Sequence, residues 1–321
     1  MKKGIAMLLA LLMCTTLVAC GDSDKVKVGI IQYAEHPALD ESYKGFKAAL
    51  KEAGYGEDKA VLDYQNAQGD VSNCETIASK MVNDANNLIY AIATPSAQAA
   101  AAKTADIPIV ISAVTDPKSS DLVKSNKKPG GNVTGVSDLN PVADQIQLLT
   151  QLVPNAKKIA IMYCSSEDNS IFQAEIAMKE AEKAGLEYTK ATVADSSLIQ
   201  QVTESLIGKV DAIYIPTDNL LAEGMATVAM VANENNLPCI VGEGGMTKNG
   251  GLATYGIDYY KLGYRAGKQA VKILKGKAEP KDMAIEYLPK AECKLMINKS
   301  VAEKLNITIP DDLKEKAEMV E

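Results

Sequence analysis

The sequence predicts an α/β protein of two doubly wound parallel-sheet lobes joined by a three-segment hinge. Three observations carry this. From Lys25 onward, short apolar runs alternate with longer amphipathic ones, the pattern of parallel β-α-β units with helices on both faces of a sheet. That rhythm then runs a second time. Finally, a short phrase recurs: "GGNVTGVSD" over 130–138 and "GGLATYGID" over 250–258 share both glycines, the threonine and the aspartate in register. Two similar halves with no Pro/Gly/Ser-rich linker between them point to lobes that face each other across a cleft.

The N-terminus reads as an address. Lys2 and Lys3 precede the apolar run "GIAMLLALLMCTTLVAC", too short for a comfortable bilayer span and laid out as a secretory signal. Its end, "LVAC" at Leu17 to Cys20, resembles the lipobox of bacterial lipoprotein signals. Residues 1–19 are therefore expected to be removed and Cys20 lipidated. Acyl chains bury methylenes at about 0.8 kcal/mol each, so the folded body would be extracytoplasmic and lipid-anchored to the cell membrane.

The first half follows in order: strand "VKVGII", helix "ESYKGFKAALKEAG" ending at Gly54, strand "KAVLDYQN", helix "NCETIASKMVND", then strands "LIYAIAT" and "IPIVISAV" around helix "PSAQAAAAK". In the second half "KKIAIMY" and "IFQAEIAMKEAEKAG" restate the first strand and helix, with Ala184-Gly185 echoing Ala53-Gly54. "VDAIYIPTDN" restates "NLIYAIATPSA", and "LPCIVGEGG" restates "IPIVISAVTD". In each copy of the repeated phrase the glycines should turn the chain into a short strand, which Asp138 or Asp258 ends. Val136 and Gly256 should then lie side by side where the chain changes lobes, with a third crossing near Leu288. The N-terminal lobe is expected to comprise 20–138 plus 259–287, and the C-terminal lobe 139–258 plus 288–321.

Composition excludes several functions. The 321 residues carry a net charge of −7 without a long basic run, which argues against nucleic-acid binding. One histidine and no tryptophan leave little for a Ser/His/Asp or Cys/His centre or a multi-histidine metal site. Phosphate-loop, nucleophile-elbow and HExxH motifs are absent. No catalytic residue, metal or cofactor is assigned, and a binding protein is expected rather than an enzyme. Cys74, Cys164, Cys239 and Cys293 lack metal-type spacing, and no bridge among them is assigned.

Ligands of open α/β sheets bind beyond the carboxyl ends of the strands. In the first half those ends carry Gln32, Tyr33, Glu35 and His36, then Thr94, Pro95 and Ser96, then Thr115 and Asp116. In the second they carry Ser165, Ser166, Glu167, Asp168, Asn169 and Ser170, then Thr217, Asp218 and Asn219, then Glu243. Many of these residues also suit helix caps. "ATPSAQ" places Thr94 as cap, Pro95 at the first helical position and Ser96 in the first turn, a spot suited to a carboxylate. "SSEDNS" offers a second helix start, capped by Ser166 or Asp168. Asp218 directly follows an apolar strand and suits an ammonium group. Tyr33, the stem of Gln32 and the ring of His36 can wall a ligand side chain, although His36 also fits an exposed loop. An anion nest together with a carboxylate is what a zwitterionic amino acid requires.

The lipobox, "ATPSAQ", "TDP" at 115–117, "PGGNVTGVSD", "SSEDNS", "PTDN" and "GLATYGIDYYKLG", in this order over the mature chain, resemble the solute-binding lipoproteins of ABC importers in the branch associated with tryptophan and tyrosine uptake. The resemblance implies a type I periplasmic-binding fold, a monomer, and a cleft that closes on one small molecule. It also implies delivery to an ABC permease driven by a separate ATPase. By similarity to branched-chain amino-acid receptors of that fold, Ser96 and the backbone near Ala113 and Thr115 fall where the α-carboxylate and ammonium are held. Asp218 falls where an acidic group meets the ammonium, and Asp258 joins the candidate ligand-binding set. A ligand-sensing or adhesive surface lipoprotein is the competing expectation.

Overall fold

The computed structural model describes residues 25–321; the expected signal segment and Cys20 lie outside the described residues. The first half runs β1 (Val26–Gln32), α1 (Pro37–Glu52), β2 (Ala60–Asn66), α2 (Val71–Asn83), β3 (Leu88–Ile92), α3 (Thr94–Lys103), β4 (Ile109–Val114) and β5 (Val133–Ser137). The second runs α4 (Val142–Leu152), β6 (Lys158–Cys164), α5 (Asp168–Lys183), β7 (Glu187–Val193), α6 (Ile199–Glu204), β8 (Ala212–Ile215), α7 (Asn219–Glu223), α8 (Met225–Glu234), β9 (Cys239–Val241), α9 (Gly244–Lys248) and β10 (Ala253–Gly256). Then come α10 (Tyr259–Leu274), β11 (Glu286–Tyr287), β12 (Lys294–Asn298), α11 (Lys299–Lys304), α12 (Asp311–Lys314) and β13 (Glu318–Val320).

Two sheets result, ordered β11-β5-β4-β3-β1-β2 and β13-β12-β10-β9-β8-β6-β7. Every ladder is parallel except β10 with β12. The inner strands β3, β4 and β8 are buried along their whole length, as parallel strands covered on both faces must be. Each sheet reverses its strand order once, between β1 and β3 and between β6 and β8. Those two reversals open the crevices in which a doubly wound sheet binds ligands.

The chain passes between the sheets after β5, after β10 and after β11. Val136 and Gly256 are not paired with each other: each sits in its own ladder, Val136 opposite Glu286 and Gly256 opposite Lys294. The first two crossings are joined a few residues further on. Ile257 N–H donates to Asn140 Oδ1 at 3.2 Å, and the Tyr259 hydroxyl donates to Asp138 Oδ2 at 2.9 Å. The two aspartates of the repeat thus differ: Asp138 is buried between the crossings, whereas Asp258 caps α10 through Lys261 N–H. Helix α10 returns to the first sheet and packs on α1. The helices touch backbone to backbone, since a Cβ on Gly45 would stand 2.0 Å from Tyr260 O and one on Gly263 1.8 Å from Ser42 O.

Candidate functional site

At the first sheet's reversal, β1 ends in Gln32 and is followed by Tyr33, both buried. Gln32 Nε2 donates to Ala34 O and Asp40 Oδ1, and the Tyr33 hydroxyl donates to Gly69 O. His36 precedes Pro37, the first residue of α1, and is 5 % exposed, so the exposed-loop alternative is excluded. Ala93 directly follows β3 and Ala113 is the next-to-last residue of β4, and their φ angles are +80° and +54°. Non-glycine residues held in that region cost on the order of 1–3 kcal/mol each and cluster at ligand clamps. The turn at Ala93 also corrects one expectation: Ala93, not Thr94, is the N-cap of α3. The sharp backbone turn starts the helix on Thr94 itself, and the buried Thr94 hydroxyl has no partner. Ser96 is fully buried in the first turn, 3.6 Å from Cys74 Sγ.

The second sheet's reversal faces this one. Glu167, rather than Ser166 or Asp168, occupies the N-cap position of α5, and its side chain does not cap that helix. It reaches across to α7 instead, accepting from Leu220 N–H at 3.2 Å and from Asn219 Nδ2 at 2.6 Å. Asp218 accepts from Cys164 N–H at 2.6 Å and from Leu221 N–H at 2.9 Å. Glu167 and Asp218 are both buried, and burial raises both pKa values, with the charge of Asp218 adding to the effect on Glu167. Among the described residues neither forms a salt bridge. The site therefore holds two buried carboxyl groups with no cation beside them among the described residues.

Side chains of the two halves meet along a seam. His36 Nε2 lies 3.4 Å from Asn219 Oδ1, Gln98 Nε2 donates to Asp168 Oδ2 at 2.7 Å, and Gln173 Nε2 donates to Thr115 Oγ1 at 3.1 Å. Thr115 in turn donates to Asp138 at 3.2 Å, linking the seam to the hinge. Tyr33 is close enough to Glu167 and Asp218 for their charges to raise its pKa further, after burial. Five buried polar atoms around this seam have no partner among the described residues: Gln32 Oε1, His36 Nδ1, Thr94 Oγ1, Asn169 Oδ1 and Gln173 Oε1. Such atoms cost about 1–3 kcal/mol each when left unpaired.

The structure thus brings together Gln32, Tyr33, His36, Thr94, Ser96, Ala113, Thr115, Glu167, Asn169, Asp218 and Asn219. Ser165 and Ser166 are exposed, with Ser166 Oγ 3.2 Å from Cys164 Sγ. Glu243 caps α9 through Gly245 and Met246 N–H. With Asp258 it lines a groove of about 260 Å³ shared with Pro37, Lys248 and Lys294. Gln173 escaped the sequence reading. It stands four residues after Asn169, hence on the same face of α5, and that spacing was the available signal.

The buried groups set an expected pH response for the unliganded chain. Burial raises Asp138 to about 6 and Glu167 and Asp218 upward. For these carboxyls the native state binds more protons than the unfolded chain, so stability is present at acid pH and is lost as pH rises through the folded values. His36, lowered to about 4 by burial, opposes this as pH falls below its unfolded value. The carboxyls outnumber it, so the protein should be more stable at pH 6 than at pH 8, by on the order of 1 kcal/mol. Calorimetric melting at the two pH values tests this, and a lower Tm at pH 6 would contradict it.

Comparison with known proteins places this geometry. A family profile described as ABC transporter substrate binding protein matches residues 27–321. The chain is 46% identical over 288 residues to a tyrosine-binding protein of Clostridioides difficile (strain R20291), covering 89% of this chain and 83% of that protein. Among solved structures, an ABC domain from Streptococcus pneumonia in complex with L-Trp superposes with a TM-score of 0.89 at 41% identity, over 92% of this chain and all of that one. The ligand-free, open structure of a Clostridium difficile substrate binding protein with adhesive properties has the same 41% identity, over 92% of this chain and 99% of that one, but a TM-score of 0.70. At equal identity the difference lies in shape: this chain matches the tryptophan-bound form better than the open one. Together with the side-chain contacts across the seam, that marks a closed arrangement, and the two facing sheets are those of a type I periplasmic-binding fold.

Proposed function

The chain belongs to the ABC transporter substrate-binding protein family, and from that premise we propose that it is the extracytoplasmic binding lipoprotein of an ABC importer. Its ligand is a free aromatic amino acid, tyrosine or tryptophan, which it delivers to the permease. The observation that carries this reading is the seam: buried carboxylates without a cation lie beside unpartnered acceptors and a strained helix start. An α-ammonium supplies charge and donors to the first two. An α-carboxylate suits the first turn of α3, whose N–H groups have no intrahelical acceptor. Tyr33 provides an aromatic wall for a ring. The relatives that carry tyrosine and tryptophan in their names support this choice of side chain.

The mechanism follows from where the groups sit. A ligand held mainly by one half gains contacts with the other only on closure, and that differential affinity shifts the population from open to closed. Lipidation at Cys20 keeps the binding body at the membrane face, near a permease and its ATPase. Isothermal calorimetry with tyrosine, tryptophan, phenylalanine, leucine and N-acetyltyrosine tests the ligand class. N-acetylation removes the ammonium, and a loss of at least about 2 kcal/mol, roughly thirtyfold, is expected. Equal binding of tyrosine and N-acetyltyrosine would overturn the ammonium assignment. A second, adhesive role at the cell surface is favoured by one observation, the adhesive properties of the open relative.

A further inference from the structure

We propose that His36 is a selectivity residue, presenting Nδ1 as a fixed acceptor to an O–H or N–H donor on the side chain of the ligand. The proposal rests on the amino-acid reading above. It starts from an assignment that neighbouring groups force. Asn219 Nδ2 lies 2.6 Å from Glu167 Oε2, and the Asn219 and Leu220 backbone N–H groups also point at this carboxyl, so with Glu167 ionised the amide points its NH2 at the carboxylate and its Oδ1 away. His36 Nε2, 3.4 Å from that Oδ1, is then the ring's donor, and Nδ1 carries the bare lone pair. Nδ1 is buried and none of the described residues donates to it. Burial lowers the ring's pKa to about 4, so the lone pair persists at neutral pH.

The same reasoning fixes three amides. Gln32 Nε2 faces Ala34 O and Asp40 Oδ1, Asn169 Nδ2 faces Glu167 Oε2, and Gln173 Nε2 faces Asn169 O and Thr217 O. All these partners are acceptors, so the three unpaired amide oxygens are true acceptors rather than misassigned donors. With Nδ1 the seam offers four acceptors lacking donors. An ammonium carries three N–H groups, so a ligand whose only donors are on its ammonium leaves at least one acceptor empty. His36 shares the β1–α1 loop with Tyr33, and the Tyr33 hydroxyl is already committed to Gly69 O. Among the described residues nothing donates to His36 Nδ1, and the one other unpartnered hydroxyl of the seam, Thr94, opens α3 where the ligand carboxylate is placed; the donor for Nδ1 is therefore assigned to the ligand. Sites built around a ligand O–H or N–H discriminate strongly against analogues that lack it, because the site's own group is stranded.

His36 is the chain's only histidine, which makes the test unambiguous on untagged protein. Calorimetry with tyrosine and phenylalanine should show tyrosine favoured at least about tenfold in the natural chain. That ratio should collapse toward one in His36→Phe and be retained in His36→Gln, whose amide can both donate to Asn219 and accept. Nitrogen-15 NMR of the natural protein supplies a readout that does not depend on the variants folding. The Nε2–H tautomer should be present, and the Nδ1 resonance should move when tyrosine is added and stay put with phenylalanine. An unchanged ratio in folded His36→Phe, or an Nδ1 resonance indifferent to tyrosine, would overturn the proposal while leaving the amino-acid reading intact. Failure of every amino acid to bind the natural chain would overturn both.

Discussion

Replacing Asp218 with alanine is expected to weaken amino-acid binding by about 2 to 5 kcal/mol, the cost of removing one partner from a buried charge pair. Asp218 is 1 % exposed and forms no salt bridge among the described residues. A cation to favour its ionised form must therefore come with the ligand. The same carboxylate accepts from Cys164 and Leu221 N–H, so the variant should also lose about 1 kcal/mol of folding stability as a missing cap. The two effects separate with a control. Asp195 caps a short exposed turn through Ser197 N–H, and Asp195→Ala should lose stability on the same scale with ligand affinity untouched. Calorimetric titration of both variants decides the matter: an Asp218→Ala affinity equal to that of the natural chain would reject its part in binding.

Much of the fold was legible because the signals were local. The buried runs at Leu88–Ile92 and Ala212–Ile215 have no polar residue to interrupt them, and the "AG" stops at 53–54 and 184–185 fall at the ends of α1 and α5. Less legible was whatever depends on a partner far along the chain. β11 is only two residues, Glu286–Tyr287, and exists because Val136 and Ser137 offer it an edge. Thr94 resembled a cap because Thr-Pro is a common helix opening, yet the backbone at Ala93 had already turned. The "SSEDNS" loop misled for a related reason: the Glu167 side chain is long enough to cap a neighbouring helix rather than its own. His36 was ambiguous because nothing nearby in sequence shows that Asn219 will cover it.

The second large effect lies far from the seam. Gly263→Val should destabilise the protein by about 3 kcal/mol, the upper end of ordinary overpacking penalties. The reason is the backbone contact between α1 and α10, where an added Cβ would meet Ser42 O at 1.8 Å and could be accommodated only by moving a helix. Gly131→Ala is the matched control: nothing lies within 4 Å of its added Cβ, and a change within about 0.5 kcal/mol is expected. Urea unfolding of the pair tests the claim. A Gly263→Val midpoint no lower than that of Gly131→Ala would show that the helices separate without cost.

That helix contact also sets an order of assembly. The first sheet is begun by residues 26–137 but is covered on one side by α10, and the second sheet, begun at 158, is finished by β12 and β13 near the chain's end. A chain emerging from its N-terminus can complete neither lobe until almost all of it is available. Contacts this distant in sequence form slowly. A nascent chain that stays loosely structured until synthesis is nearly over suits the export proposed above, because it can still be threaded, unfolded, through a narrow pore.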